Sequence, residues 1–402
     1  MRVALAIQHF PPHPGGAEQQ ARVLAAHLAA RLGQCDVVTS RHAPGLPRES
    51  RDGGVRVVRL PTLRPGRARL VTNAAMACLH FALHGGRYDI VHAHCLSPFV
   101  LGAVLGARLR GCRTLVKICT VGCGGDIAKV RASPLGPWLW RAFRTADALI
   151  ATSAEVRNEA LQAGAAHTRV VLVPNAIDLP RPPRADGTAD DAPPAERRAA
   201  LGLPGGGICL FVGRWVRGKG LDAIMSAWPA IRAAANATLV IVGDGPLRDT
   251  LEEWARSPSV AGSVRLIGWQ SDPSPYYRAA DVLLAPSASE AFGNVLAEAM
   301  AHGLAAITTP VGLAAAHVRD GENGVLLHAR QPEALAPELA HATLGLLADE
   351  PLRRRIGEQA RATARTRFGS DAVLDVYTSL YRRLLAGGAP SDTPQPLPSP
   401  SP

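Results

Sequence analysis

The feature that most constrains the fold is a pattern that runs twice along the chain. Short apolar runs alternate with stretches of helical spacing on either side of a proline-rich break. In the first pass the apolar runs are residues 2–7, Cys35–Thr39, Val55–Leu60, Ile90–Ala93, Thr114–Ile118, Ala148–Thr152 and Val170–Val173. Ala17–Leu32 supplies a helix between the first two, with apolar residues at Val23, Leu24, Leu28 and Leu32. In the second pass, strands over Ile208–Val212, Ala237–Val242, Val264–Ile267, Asp281–Ala285 and Ala305–Thr308 alternate with helices over Gly220–Ala234, Leu247–Ala255 and Val295–His302. Continuous apolar strands separated by helices predict parallel sheets covered on both faces. The expected fold class is therefore α/β, with two Rossmann-like doubly wound domains facing a central cleft.

The break, LPRPPRADGTADDAPPAERRAALGLP, occupies residues 179–204 and reads as a linker. It sets the expected domains at 1–178 and 205–368. Residues 369–386 contain an amphipathic helix, and the Pro- and Ser-rich residues 387–402 are expected to be disordered. No run of 18 apolar residues occurs, and the start of the chain carries no cleavable-signal pattern. A cytoplasmic protein is the expectation.

Ligands of open α/β sheets bind beyond the carboxyl ends of strands, so the loops there hold the candidate residues. His13–Gln20 joins the first strand to its helix, and Gly15 and Gly16 allow close backbone approach. That loop lacks the G-x-G-x-x-G spacing of a dinucleotide site. In Phe211–Gly220, Arg214 and Lys219 place two cations after a strand, a pairing suited to a diphosphate. Gly243 lies in a third such turn, Val242–Pro246. The fourth stretch, SASEAFGNVLAEAM, spans residues 287–300 and carries Glu290 and Glu298 eight positions apart. A helix beginning near Gly293-Asn294 offers free N–H groups to phosphate. Glu298, about one turn inside, leans back toward the helix start and can accept both hydroxyls of a ribose. Glu290, before the helix, can read a sugar on the other side of the phosphate. Ordinary acids at a helix start explain Glu298 tolerably but not Glu290 or the glycine.

These residues resemble a family. EAFGNVLAEAMAHG is similar to the Glu-x7-Glu signature of retaining GT-B glycosyltransferases, glycosyltransferase family 4. GRWVRGKG resembles that family's Arg…Lys pair, PPHPGGAEQ its glycine loop, and VLVPNAIDL its Pro-Asn-Gly-Val-Asp strand end with Ala176 in place of Gly. The resemblance implies a GT-B fold with an acceptor-side first domain and a donor-binding second domain. It also implies that the C-terminal helix crosses back to the first domain. Catalysis is expected of Glu290, Arg214 and Lys219. Donor contacts are expected of Gly15, Gly16, Arg214, Lys219, Gly243, Ile267, Glu290, Phe292, Gly293, Asn294 and Glu298, with the base read by backbone near Ile267–Trp269. Members transfer sugars with retention and without a metal, so no cofactor and no metal are expected.

Two departures stand out. Ala305 occupies a usual proline position. Cys119 stands where many members carry a histidine that orients the reacting sugar. Asp126, after Gly124-Gly125, and His94 are the candidates to fill that role.

Charge bears on the acceptor. The net charge is +11; residues 1–178 hold 22 Lys+Arg against 10 Asp+Glu, so the first half carries the whole excess. Arg41, Arg48, Arg51, Arg56, Arg59, Arg64, Arg67 and Arg69 crowd one segment, opposed only by Glu49 and Asp52. Such a field attracts an anionic membrane surface or a phosphorylated acceptor. Nucleic acid is disfavoured, because aromatics are scarce and no recognition motif appears. The seven cysteines are scattered, which fits reduced thiols. Cys119 and Cys123, with His92, His94 and Cys95, could supply soft metal ligands, but their spacing matches no zinc pattern.

The expected function is a retaining, metal-independent hexosyl transfer from a nucleotide sugar, favouring UDP, to a cell-surface glycan or lipid-linked acceptor. It would take place in the cytoplasm or at the inner face of the membrane. The alternatives are a sugar-nucleotide epimerase of the same fold and a non-catalytic GT-B scaffold. A phosphorylase would need a pyridoxal-phosphate lysine, and the chain has only Lys117, Lys129 and Lys219.

Overall fold

The computed structural model describes residues 1–13, 15–62, 66, 68–180, 193–329 and 331–390. The chain divides into two compact units, Met1–Ala176 with Arg367–Pro402, and Ile177–Thr366.

The first unit runs β1 (Val3–Ile7), α1 (Gly16–Leu32), β2 (Cys35–Ser40), β3 (Glu49–Asp52), β4 (Val55–Leu60), α2 (Ala68–His84), β5 (Ile90–His94), α3 (Pro98–Arg108), β6 (Arg113–Lys117), α4 (Asp126–Arg131), α5 (Gly136–Phe143), β7 (Ala148–Ala151), α6 (Ala154–Gln162) and β8 (Val170–Leu172). Its eight strands are ordered β3-β4-β2-β1-β5-β6-β7-β8. Helices on both faces bury the central strands completely, as in β1, where all five residues are buried. The edge strand β3 pairs antiparallel with β4. Its sequence, ESRD, has no apolar residue and so carries no hydrophobic strand signal.

The second unit runs α7 (Pro194–Ala200), β9 (Gly207–Val212), α8 (Leu221–Ala234), β10 (Ala237–Val242), α9 (Arg248–Arg256), β11 (Val264–Ile267), α10 (Ser274–Ala279), β12 (Val282–Ala285), α11 (Asn294–Ala301), β13 (Ala305–Thr308), α12 (Ala314–His317), β14 (Val325–Leu326), α13 (Pro332–Ala348) and α14 (Glu350–Arg367). Its sheet has the order β11-β10-β9-β12-β13-β14 with every pair parallel. The chain leaves β9 toward β10 on one side and returns to its other side as β12. The β9/β12 junction is therefore a topological switch point, the place where open α/β sheets bind their ligands.

The last helix, α15 (Ser370–Leu385), belongs to the first unit. Its buried face, Val373, Leu374, Tyr377, Leu380, Tyr381 and Leu384, joins the core formed by β1, α1, β2 and their neighbours. Burying six such side chains gives this helix a large hydrophobic stabilisation, roughly 1.5–3 kcal/mol for each fully buried aliphatic or aromatic group. Arg31 of α1 adds an ion pair with Asp375. Residues 181–192 of the expected linker and 391–402 of the expected tail lie outside the described residues. Among the described residues no helix is long and apolar enough to cross a membrane.

Candidate active site

The loops after β9 and β12 meet at the switch point of the second unit. The backbone forces them together. Ala288 N donates to Gly218 O at 3.0 Å. Gly220 has φ +76°, and a Cβ there would lie 2.1 Å from Pro286 O, so only glycine fits. Gly220 then caps α8.

This junction sets the central contact. Lys219 Nζ donates to Glu290 Oε1 at 2.6 Å, and Ser287 Oγ donates to the same oxygen at 2.8 Å. The Lys219 and Glu290 side chains keep 29% and 22% of their surface, so a ligand can reach the pair. Arg214, before Lys219 in the same loop, is exposed. The two cations and one carboxylate thus come from the ends of adjacent strands.

Glu290 is followed by Phe292, which is buried, and by Gly293, which takes a left-handed conformation (φ +97°) as the cap of α11. No side-chain hydrogen bond caps this helix from Gly293, and a helix start of this kind favours an anion. A third loop supports the arrangement from behind. Thr309 Oγ1 donates to Ser287 O at 2.5 Å, and Leu313 N donates to Phe292 O at 2.7 Å.

Glu298, the fifth residue of α11, is partly buried and accepts from Tyr277 Oη at 2.8 Å. Burial pushes its carboxyl up to about 7, against a smaller lowering by the Tyr277 hydrogen bond. His302 Nδ1 lies 2.8 Å from Glu298 O, and its ring packs 5.2 Å from Tyr277. Gly243 N donates to Ile267 O at 3.0 Å, and Gly213 N donates to Val242 O at 3.0 Å, which ties the ends of β9, β10 and β11 into one rim. Trp269, just beyond, is 55% exposed.

The structure thus brings together Arg214, Lys219, Gly243, Ile267, Glu290, Phe292, Gly293, Asn294 and Glu298 within one unit. Ser287, Tyr277 and Thr309 were not singled out from sequence. Ser287 lies inside the quoted stretch, three residues before Glu290. Tyr277 comes from α10, and no spacing ties it to Glu298.

Gly15 and Gly16 stand at the start of α1 in the first unit. Two expected acceptor-side residues there are enclosed. His94 is the last residue of β5 and has no exposed surface. Its parallel neighbours β1 and β6 enclose it. Asp126 spends its carboxylate on its own loop, accepting from Cys119 N at 2.8 Å and Thr120 Oγ1 at 2.7 Å, with 7% exposure. It shapes the turn after β6 rather than presenting a free acceptor. His92 is likewise buried, with Nδ1 2.8 Å from Tyr381 Oη of α15. Of the soft-ligand set, Cys95 and Cys119 approach each other, in a group completed by Asp126, while Cys123 is exposed. All seven cysteines are free thiols.

The arginine-rich segment is also less open than its composition suggests. Arg56 pairs with Glu49 at 2.8 Å and lies 3.6 Å from Asp36. Arg59 is 7% exposed and donates to Ser50 Oγ. Asp52 takes Arg22. Arg48, Arg51 and Arg69 are exposed, whereas Arg64 and Arg67 lie outside the described residues.

Comparison with known proteins agrees with this architecture. The family profile described as Glycosyltransferase Family 4 matches residues 14–181, and that described as Glycosyl transferases group 1 matches residues 206–349. The chain is 30% identical to the alpha-maltose-1-phosphate synthase of Mycolicibacterium smegmatis, over 96% of its own length and 100% of that protein's. It is 32% identical to a lipopolysaccharide core biosynthesis glycosyltransferase of Rhizobium meliloti over 184 residues, 46% of this chain and 52% of that one. The crystal structure of Anabaena HepE in complex with UDP-glucose superposes with a TM-score of 0.72 at 18% identity, covering 96% of this chain and all of the other. By fold, by profile and by full-length similarity, the chain belongs to the group 1 glycosyltransferases of glycosyltransferase family 4 and is a glycosyltransferase with two α/β domains of the GT-B kind.

Proposed function

We propose that this glycosyltransferase uses a nucleotide-sugar donor, UDP-linked, and binds it at the β9/β12 switch point. The observation that carries the reading is the Lys219–Glu290 contact at the tip of α11. The α11 N-terminus takes phosphate oxygens. Arg214 and Lys219 offset the charge that develops on the departing diphosphate, the contribution worth most in a site of this kind. Glu298, steadied by Tyr277, accepts the ribose hydroxyls. Glu290 accepts hydroxyls of the transferred sugar, and Ser287 holds it in place. Diphosphate arrival draws Lys219 from Glu290 toward phosphate and frees the carboxylate oxygen for the sugar. With two cations and a helix end available, the departing group is stabilised without a metal, and transfer proceeds with retention. The UDP-glucose complex of the structurally similar HepE supports the donor class.

The acceptor in this reading is a lipid-linked or cell-surface glycan, supported by the lipopolysaccharide role named for the Rhizobium relative. The membrane-facing element is α5 rather than the paired arginines of β3 and β4. There Leu135 and Trp138 are 62% and 73% exposed, beside exposed Lys129, Arg131 and Arg141. Apolar side chains flanked by basic ones suit an anionic lipid surface.

The test is a thermal-shift screen with UDP, GDP, ADP and their sugars, followed by transfer assays with and without chelator. A hundredfold excess of ligand over its dissociation constant stabilises by about 2.7 kcal/mol. The product anomer, read by NMR, reports retention. No shift with any nucleoside diphosphate, or a shift unchanged in Lys219→Ala, would refute the assignment. Release of an altered sugar with no acceptor present would make the protein an epimerase.

A further inference from the structure

The first unit has its own switch point, between β1 and β5, which flank each other while the chain leaves β1 toward β2 on the far side. Beyond the end of β1 an unusual set of side chains gathers. His9 and His13 stack with ring centroids 4.6 Å apart and 13° between planes. His42, after β2, lies edge-on to both, at 5.7 and 5.3 Å. Glu18, in the first turn of α1, completes the group. The ligating atoms of His9, His13 and Glu18 all lie within 4.8 Å of one another.

Ring stacking accounts for two imidazoles in contact. It does not account for a third ring and a carboxylate converging on the same point. His13 Nδ1 is shielded from solvent and makes no hydrogen bond among the described residues. Its nearest acidic neighbour is Glu18 Oε1 at 3.5 Å, longer than a good hydrogen bond and the span a shared cation would bridge.

We propose that His9, His13 and Glu18 bind one divalent transition-metal cation of the zinc class, with His42 packed against both imidazoles as their support. Two imidazoles and a carboxylate suit zinc, nickel or copper rather than magnesium or calcium, which prefer all-oxygen sets. Zinc–nitrogen bonds of about 2.0–2.1 Å place tetrahedral ligand atoms roughly 3.4 Å apart, so the three atoms need draw in by about an ångström. Three protein ligands leave a fourth position for water or another group.

The cation would pin the β1–α1 loop, which leads into Gly15 and Gly16. All three ligands belong to the first unit, and none of them is a residue to which the diphosphate chemistry is assigned, so chelator-insensitive transfer and zinc binding are compatible. The second soft-ligand group, Cys95, Cys119 and Asp126, is the internal rival, although Asp126 already accepts two hydrogen bonds.

The experiment uses the full chain, stripped with chelator, dialysed, and titrated with zinc. Wild type and the double variant Cys95→Ser/Cys119→Ser are expected to bind one equivalent. His9→Ala/His13→Ala is expected to bind at least tenfold more weakly. Glu18→Gln, which keeps the side-chain shape, is expected to weaken binding tenfold too and serves if the double histidine variant does not fold. Zinc should raise the melting temperature and magnesium should not. Cobalt in place of zinc should show visible ligand-field bands without a thiolate charge-transfer band. Failure of wild type to bind zinc, unchanged binding in His9→Ala/His13→Ala or in Glu18→Gln, loss in the cysteine variant, or a thiolate band with cobalt would each overturn the proposal.

Discussion

Lys219 Nζ lies 2.6 Å from Glu290 Oε1, a contact between residues 71 apart in sequence, on the loops that follow two strands adjacent in the sheet. In the proposed reading this pair exchanges partners when a diphosphate arrives. Lys219→Ala is expected to lower kcat/KM by about 10²–10³, the usual cost of removing one donor aimed at developing negative charge. Arg214→Ala should cost less, because that side chain is exposed. Steady-state kinetics on both variants and on the double variant checks this. A Lys219→Ala enzyme within twofold of wild type would contradict it.

Glu298 gives a pH signature. Burial raises its carboxyl from 4.5 to about 7. The folded protein therefore holds the proton to higher pH than the unfolded chain. Stability contributed by this group falls as pH rises from about 4.5 to about 7 and is level above. The loss is on the order of 1–3 kcal/mol. Urea unfolding of wild type and Glu298→Gln at pH 5 and pH 7.5 should show the difference between them shrinking or reversing toward the higher pH. A parallel offset at both values would remove the explanation.

Gly220→Ala tests the junction of the two loops. The new Cβ would meet Pro286 O in a left-handed backbone. The strain is about 1–2 kcal/mol from conformation, and the clash forces the loops apart. Denaturant midpoints should fall, and donor affinity should fall further than stability alone explains. Isothermal titration with UDP separates the two effects.

Tyr381→Phe tests how α15 is held. Tyr381 Oη sits 2.8 Å from His92 Nδ1, and both residues have no exposed surface. Loss of the hydroxyl leaves the imidazole nitrogen unpaired, at a cost of about 1–3 kcal/mol. A chemical melt reporting less than a few tenths would show that the contact carries no weight.

Trp138→Ala with Leu135→Ala should reduce sedimentation with anionic vesicles severalfold while the affinity for UDP stays unchanged. Arg56→Ala, whose guanidinium already pairs with Glu49 and Asp36, should affect vesicle binding less. Equal losses in the two variants would return the membrane contact to the arginine-rich segment.

The strand–helix alternation was legible because buried parallel strands need continuous apolar runs, and runs such as VALAI and ATLVIV have no other use. The helix start at Gly293-Asn294 was legible too, since the cap demands a residue that tolerates positive φ. β3 was not, because an edge strand of charged residues has no apolar signature. The enclosure of His94 at the end of β5 and of Asp126 at the start of α4 was not legible either. Sequence places a side chain at a strand end or a helix start but does not say whether it turns outward or is enclosed by neighbouring strands and its own loop.

By itself the sequence determined the two α/β units, the loops that matter and the charges on them, since these follow from local periodicity and residue type. Only the tertiary structure decided which loops meet. The β9–β12 adjacency, the hold of Tyr277 on Glu298 and the gathering of His9, His13, Glu18 and His42 all arise from strand order and helix packing. The β9–β12 loops and His42 come from segments far apart in the chain, and even the nearby His9, His13 and Glu18 converge only through the path of the β1–α1 loop, which residue type alone does not encode.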